Sequence, residues 1–197
     1  MDTDDPPEEA PIASRSWGLT LASLLAAALG FFGTQSGVGT LEQVRAPALP
    51  QLPTEMANNP YSVAAVRAAW EFARGHPRSL AAFGAANLVL SGFLFLASMR
   101  VLLKPDRAGP LWRQALAANV ALGLASLVVE RAWTPAREAL LRASLGALHA
   151  PMPPPMTPHG AARVAVFLQQ LGLGLSLALL AFLWWYARRP GTRERVG

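Results

Sequence analysis

Four long stretches of this chain contain no Asp, Glu, Lys or Arg: residues 16–41, 79–99, 114–129 and 164–187. A helix needs about 20 mostly apolar residues to cross a hydrocarbon core roughly 30 Å thick. Three of the four runs reach that length unaided. The third reaches it when it starts at Leu111 or Trp112 and Arg113 extends to the head groups. The whole chain is 52% hydrophobic and 15% charged, whereas a soluble domain carries about 25% charged residues. That balance disfavours a water-soluble globular enzyme and excludes a disordered chain.

Proline and tryptophan place the same four spans independently. No proline falls between Pro11 and Pro47, Pro77 and Pro105, Pro110 and Pro135, or Pro158 and Pro190, as expected where every helical N–H is needed. Trp17 opens the first span, Trp112 and Trp133 bracket the third, and Trp184, Trp185 and Tyr186 close the fourth. Such rings favour the membrane–water interface, where the ring body is apolar and the polar tip stays wet. The spans are therefore placed at about 17–36, 80–102, 111–131 and 164–187. The expected fold is all-α: a polytopic membrane protein, four transmembrane helices in a bundle with two outer amphipathic interfacial helices.

The membrane domain then covers residues 16–188, with outer loops 37–79 and 132–163. It is flanked by a disordered acidic, proline-rich tail at 1–15 and a basic tail at 189–197. The acidic leader has the wrong sign for a signal peptide, so the first span is expected to stay uncleaved. Arg15, Arg100, Lys104, Arg107, Arg113, Arg188, Arg189, Arg193 and Arg195 lie close to span ends on the side of the termini. The remaining basic residues are spread through the longer loops. Charge density near the spans places both termini in the cytoplasm. Of the 17 basic residues only Lys104 is lysine, and alanine is abundant, a bias associated with GC-rich bacterial genomes. The expected location is a bacterial cytoplasmic (inner) membrane.

In the first outer loop, Asn59 can cap a helix beginning at Pro60, and Gly75 and Pro77 would stop it. Arg67, Glu71 and Arg74 form a charged stripe beside an apolar face of Val63, Val66 and Trp70. In the second loop, Thr134 and Pro135 can start a helix. It would gather Leu140, Leu141, Leu145 and Leu148 on one side and Glu138, Arg142 and His149 on the other. Arg137 breaks that pattern. The two halves of the chain thus share a loose span–helix–span outline.

No nucleotide loop, nucleophile elbow, zinc-protease motif or paired acidic motif is present. The absence of cysteine removes disulfides, thiolate metal sites and a cysteine nucleophile. The glycines of GLGLSL (172–177) follow no strand and are read as a close helix-packing surface. The same reading applies to Gly33 and Gly37. Asn87, Asn119, Gln169 and Gln170 are the principal polar residues inside the spans. They are expected to make contacts between helices, or alternatively to line a path for a small solute. Glu130 and Arg131, at the end of the third span, read as interface anchors or a local pair. The segment HAPMPPPMTPH places His149, Met152, Met156 and His159 within one short stretch. Imidazole and thioether are copper ligands, and the plainer reading is a proline-rich linker.

The leading expectation is thus a non-enzymatic membrane protein that acts as an accessory or scaffold component of a larger complex. Its partners would be the lipid bilayer, other membrane subunits or a second copy, with no nucleic acid and no cofactor. The alternatives are a small-solute or copper-handling component that uses the His/Met loop, and a membrane-embedded lipid-modifying enzyme.

Overall fold

The structure, a computed structural model, describes residues 17–105, 108–147 and 157–192. Both tails lie wholly or partly outside these residues, as do His149, Met152 and Met156. Six helices follow one another: α1 (Trp17–Arg45), α2 (Thr54–Ala57), α3 (Pro60–Gly75), α4 (Pro77–Leu103), α5 (Gly109–Ala147) and α6 (Pro158–Ala187). Four of them, α1, α4, α5 and α6, are long and apolar enough to cross a membrane. They form an all-helical bundle. The start of α1, the end of α4, the start of α5 and the end of α6 share one end, called here the terminal end. α3 sits at the opposite, loop end.

Helix boundaries follow local chemistry. The Asn59 side chain accepts a hydrogen bond from the Tyr61 N–H at 3.0 Å, and Pro60 fills the first helical position of α3. His76 closes α3 and directly precedes Pro77, the first residue of α4. Thr157 caps α6 by accepting from the Gly160 N–H at 3.1 Å, again with proline next. Proline thus starts three helices, where its missing N–H costs nothing.

The helices outrun the apolar spans. α5 has 39 residues, about 58 Å at 1.5 Å per residue. It therefore runs well beyond a hydrocarbon core of roughly 30 Å. The second outer amphipathic segment is consequently not a separate helix started by Thr134 and Pro135. It is the last part of α5, which continues through Pro135. Pro135 cannot donate to the carbonyl of Arg131, but the helix is supported there from the side. Thr134 Oγ1 donates to the Glu130 carbonyl at 2.8 Å, and Gln170 Nε2 of α6 donates to Thr134 Oγ1 at 2.6 Å. Hydroxyls and neighbouring helices commonly sustain prolines in membrane helices in this way. The two halves of the chain therefore differ, and the loose repeat does not extend to the outer helices.

The closest helix pair is α1 with α4, and glycine makes it possible. A Cβ on Gly30 would lie 2.6 Å from the Phe95 backbone nitrogen and 2.8 Å from the Ser91 carbonyl oxygen. One on Gly37 would lie 2.6 Å from the Leu88 nitrogen and 2.8 Å from the Gly84 carbonyl oxygen. One on Gly33 would collide with the Ser91 hydroxyl. Small residues bring the backbones together where the hydrophobic effect between helices is weak. The pair Gly33 and Gly37 thus packs within the chain. Gly172 and Gly174 do not: an added Cβ at either would meet nothing within 4 Å. The GLGLSL run is therefore not a close packing surface within the chain.

Two clusters close the bundle. At the terminal end Trp112, Leu94, Leu116, Val101 and Leu183 are fully buried, joined by Leu19, Ala22 and Ala26 of α1. Trp112 Nε1 donates to Ser98 Oγ at 3.2 Å, so the buried indole is satisfied. At the loop end Phe72, Ala73 and Leu80 pack with Val44, Trp133 and Leu140. α3 docks on α5 by burying Ala64, Ala68, Phe72 and Ala73. Val63, Val66 and Trp70, the face expected to meet the interface, are only half-buried. Trp133, half-buried, packs against this cluster, 5.3 Å from the Phe72 ring and 6.0 Å from the Phe83 ring.

Gly37→Leu is expected to destabilise the bundle by at least about 1–3 kcal/mol through overpacking. Gly39→Ala, which faces open space, should instead stabilise it by roughly 0.5–1 kcal/mol as an ordinary helix-interior replacement. Unfolding by SDS titration, followed by circular dichroism, separates the two.

Candidate functional site

Between the two clusters the bundle encloses a cavity of about 760 Å³, within the range of small-molecule sites. α3 forms its roof through Ala65, Ala68, Ala69 and Phe72. The Trp112 cluster closes its floor. The side walls come from α1, α4, α5 and α6, and their polar residues converge on the space.

Two networks hold those walls. Between α4 and α5, Asn119 Nδ2 donates to the Leu90 carbonyl at 2.8 Å and to the Ala115 carbonyl of its own helix at 2.9 Å. Ser91 Oγ lies 3.0 Å from Asn87 Oδ1 and 3.3 Å from Asn119 Oδ1, its single proton shared between them. Between α5 and α6, the Gln170–Thr134–Glu130 chain described above makes the link. Of the four expected intramembrane polar residues, the structure brings Asn87 and Asn119 together. It sends Gln170 to Thr134 and leaves Gln169 on the cavity wall. Each such contact contributes on the order of 0.6–2 kcal/mol in a membrane.

One ion pair lies at the loop end of the cavity. Arg137 Nη1 is 2.9 Å from Glu130 Oε2, with side-chain exposures of 20% and 22%. The two residues are seven apart, on the same face of α5, and the pair straddles Pro135. The guanidinium also sits over two aromatic rings, 4.6 Å from the Phe72 centroid and 5.8 Å from that of Trp133. Its Nε is buried without a hydrogen-bond partner. The structure thus explains the residue that broke the amphipathic pattern, because Arg137 points inward. It also corrects the reading of Glu130 as a local pair with Arg131: Glu130 lines the cavity and pairs with Arg137. A charged residue out of register on an otherwise regular face was the signal available in the sequence.

α1 and α6 both line the cavity yet touch each other little. Their shared packing is at the terminal end, where Leu19, Ala22 and Ala26 meet the cluster holding Leu183 and Ala187. Above that level, Phe32 on one wall and Gln169 and Ser176 on the other are exposed. The cavity therefore opens sideways between α1 and α6.

Of the expected metal ligands, only His159 falls among the described residues. Its Nδ1 lies 3.3 Å from Glu138 Oε1. Among the described residues no group of three or more His, Asp or Glu side chains could hold a metal ion. His76 stacks on Phe72, with ring centroids 4.4 Å apart, on another part of the loop end.

Comparison of the chain with models of protein families, with curated proteins and with solved structures finds no match. The site itself therefore carries the functional reading.

Arg137→Gln leaves a part-buried Glu130 unpaired, and is expected to cost about 1–3 kcal/mol. Adding Glu130→Gln should recover most of that loss. An SDS-unfolding double-mutant cycle checks the coupling, and a cost below about 1 kcal/mol for Arg137→Gln would show that the pair is not desolvated.

Proposed function

We propose that this chain is a non-enzymatic binding component of a bacterial cytoplasmic membrane, with both termini in the cytoplasm. In this role it holds an amphiphilic ligand in the half of the bundle facing away from the cytoplasm. The observation that carries this reading is the cavity. It is lined by polar side chains from four helices alongside apolar ones such as Leu29, Phe32, Leu173 and Leu177, open sideways toward lipid and closed by a packed floor.

The closed floor supports holding a ligand over conducting a solute through the bundle. The polar part of the lining, made of amides, hydroxyls and one Glu–Arg ion pair, supports binding over catalysis. An accessory role within a larger complex agrees with the same picture, since a held ligand can be presented to a neighbouring subunit. The arginine density beside the terminal ends of the spans supports the orientation.

Mass spectrometry of the chain extracted in mild detergent is expected to find a lipid or lipid-like molecule in one-to-one ratio. Ser126→Trp, which fills the cavity, should abolish that retention while the protein remains folded by circular dichroism. Retention of nothing, or retention unaffected by Ser126→Trp, contradicts the proposal. Orientation is checked by fusions after Gly197. Green fluorescent protein should fluoresce there and alkaline phosphatase should be inactive, and the opposite pattern inverts the topology.

A further inference from the structure

The ion pair at the cavity's loop end limits which head group can bind. Glu130 and Arg137 both line the cavity, and together they carry no net charge. An anion drawn to Arg137 meets the Glu130 carboxylate, and a cation drawn to Glu130 meets the guanidinium. A molecule with both charges a few bonds apart satisfies both groups at once.

The pair has capacity left for such a molecule. A carboxylate accepts at two oxygens and a guanidinium offers five N–H donors. The contact between them joins one Nη1 to one Oε2, which leaves Glu130 Oε1 and Arg137 Nη2 outside it. A phosphate oxygen is a suitable acceptor for the guanidinium.

The cation of the ligand can also be specified. A quaternary ammonium is normally held on aromatic faces, and Arg137 already lies over the Phe72 ring. Glu130 is the one carboxylate among the described residues that line the cavity, which favours an ammonium that can donate hydrogen bonds. Depth points the same way. Glu130 ends the apolar stretch of α5, at head-group level, and below it Leu29, Phe32, Leu173 and Leu177 offer apolar walls beside the lateral opening.

We infer that the cavity selects a phospholipid with an ethanolamine-type head group, its phosphate at Arg137, its primary ammonium at Glu130 and an acyl chain along the α1–α6 opening. This inference rests on the binding reading given above.

The test uses the full chain in mild detergent with equal amounts of phosphatidylethanolamine, phosphatidylglycerol and phosphatidylcholine of the same acyl composition. Retained lipid is read by native mass spectrometry. Phosphatidylethanolamine should be retained about tenfold over each of the others, the selectivity expected of one charge-assisted contact. Glu130→Gln should turn the preference toward phosphatidylglycerol, and Arg137→Gln should remove the preference for ethanolamine. A ratio between lipids on the same molecules is insensitive to how much of a variant folds. Equal retention of the three lipids overturns the head-group assignment while leaving the binding reading intact. An ethanolamine preference unchanged in both variants places the head group elsewhere and also overturns it. Displacement by free phosphoethanolamine at matched concentration assigns the site to a soluble zwitterion instead. No retained lipid at all, with Ser126→Trp indistinguishable from wild type, overturns both readings.

Discussion

The close approach of α1 to α4 sets the geometry of the whole bundle. Gly30, Gly33 and Gly37 allow the α1 backbone to lie against Ser91, Leu88 and Phe95, nearer than any side chain would permit. α4 is tied to α5 by Asn119 and Ser91, and α5 to α6 by Gln170 and Thr134. The helices are thus joined in the order α1–α4–α5–α6, and the ring is not closed by an equal contact between α6 and α1. The gap that results is the mouth of the cavity. A side chain at Gly37 would push α1 off α4 and alter that mouth without touching a cavity-lining polar group.

The bilayer explains why the polar residues sit where they do. Hydrocarbon cannot hydrate an amide or a hydroxyl, so each must find a partner or face a cavity. Asn119 places both amide hydrogens on carbonyls, one on its own helix and one on α4. Thr134 uses its hydroxyl as donor and acceptor at once. Glu130 and Arg137 neutralise each other, and the aromatic faces of Phe72 and Trp133 shield the guanidinium. In the terminal half Leu94, Leu116 and Leu183 fill the bundle and Trp112 donates to Ser98, while the buried Ser23 hydroxyl has no hydrogen-bond partner. One half is a packed plug and the other a lined pocket, and that asymmetry supports holding a ligand rather than passing one through.

Much of the fold is legible in the sequence because membrane thickness acts on runs of residues rather than on single ones. The uncharged runs locate α1, α4, α5 and α6, and the caps at Asn59 and the stop at Gly75 and Pro77 locate α3. The misreadings have specific causes. Proline usually ends a helix because it lacks the N–H and its ring crowds the preceding turn, but at Pro135 the Thr134 hydroxyl bonds the Glu130 carbonyl and Gln170 of α6 bonds that hydroxyl, a brace from a neighbouring helix that sequence periodicity does not reveal. The inward turn of Arg137 depends on an aromatic shelf supplied by Phe72, some 65 residues earlier. The role of Gly30 was not legible because its partner is the backbone of α4 rather than a residue type. Gly172 and Gly174 resembled packing glycines, yet α6 turns them to open space.

α5 is dry at Leu116 and lines, at Ser126, a cavity roofed by α3 and open sideways toward lipid between α1 and α6. The chain has no cysteine, so single replacements report accessibility without background. Leu116→Cys and Ser126→Cys, each treated in vesicles with a lipid-soluble thiol reagent, test this most directly. Ser126→Cys should react and Leu116→Cys should not. Reaction at Leu116→Cys, or failure of Ser126→Cys to react, would contradict a bundle plugged at its terminal end with a laterally open cavity above the plug.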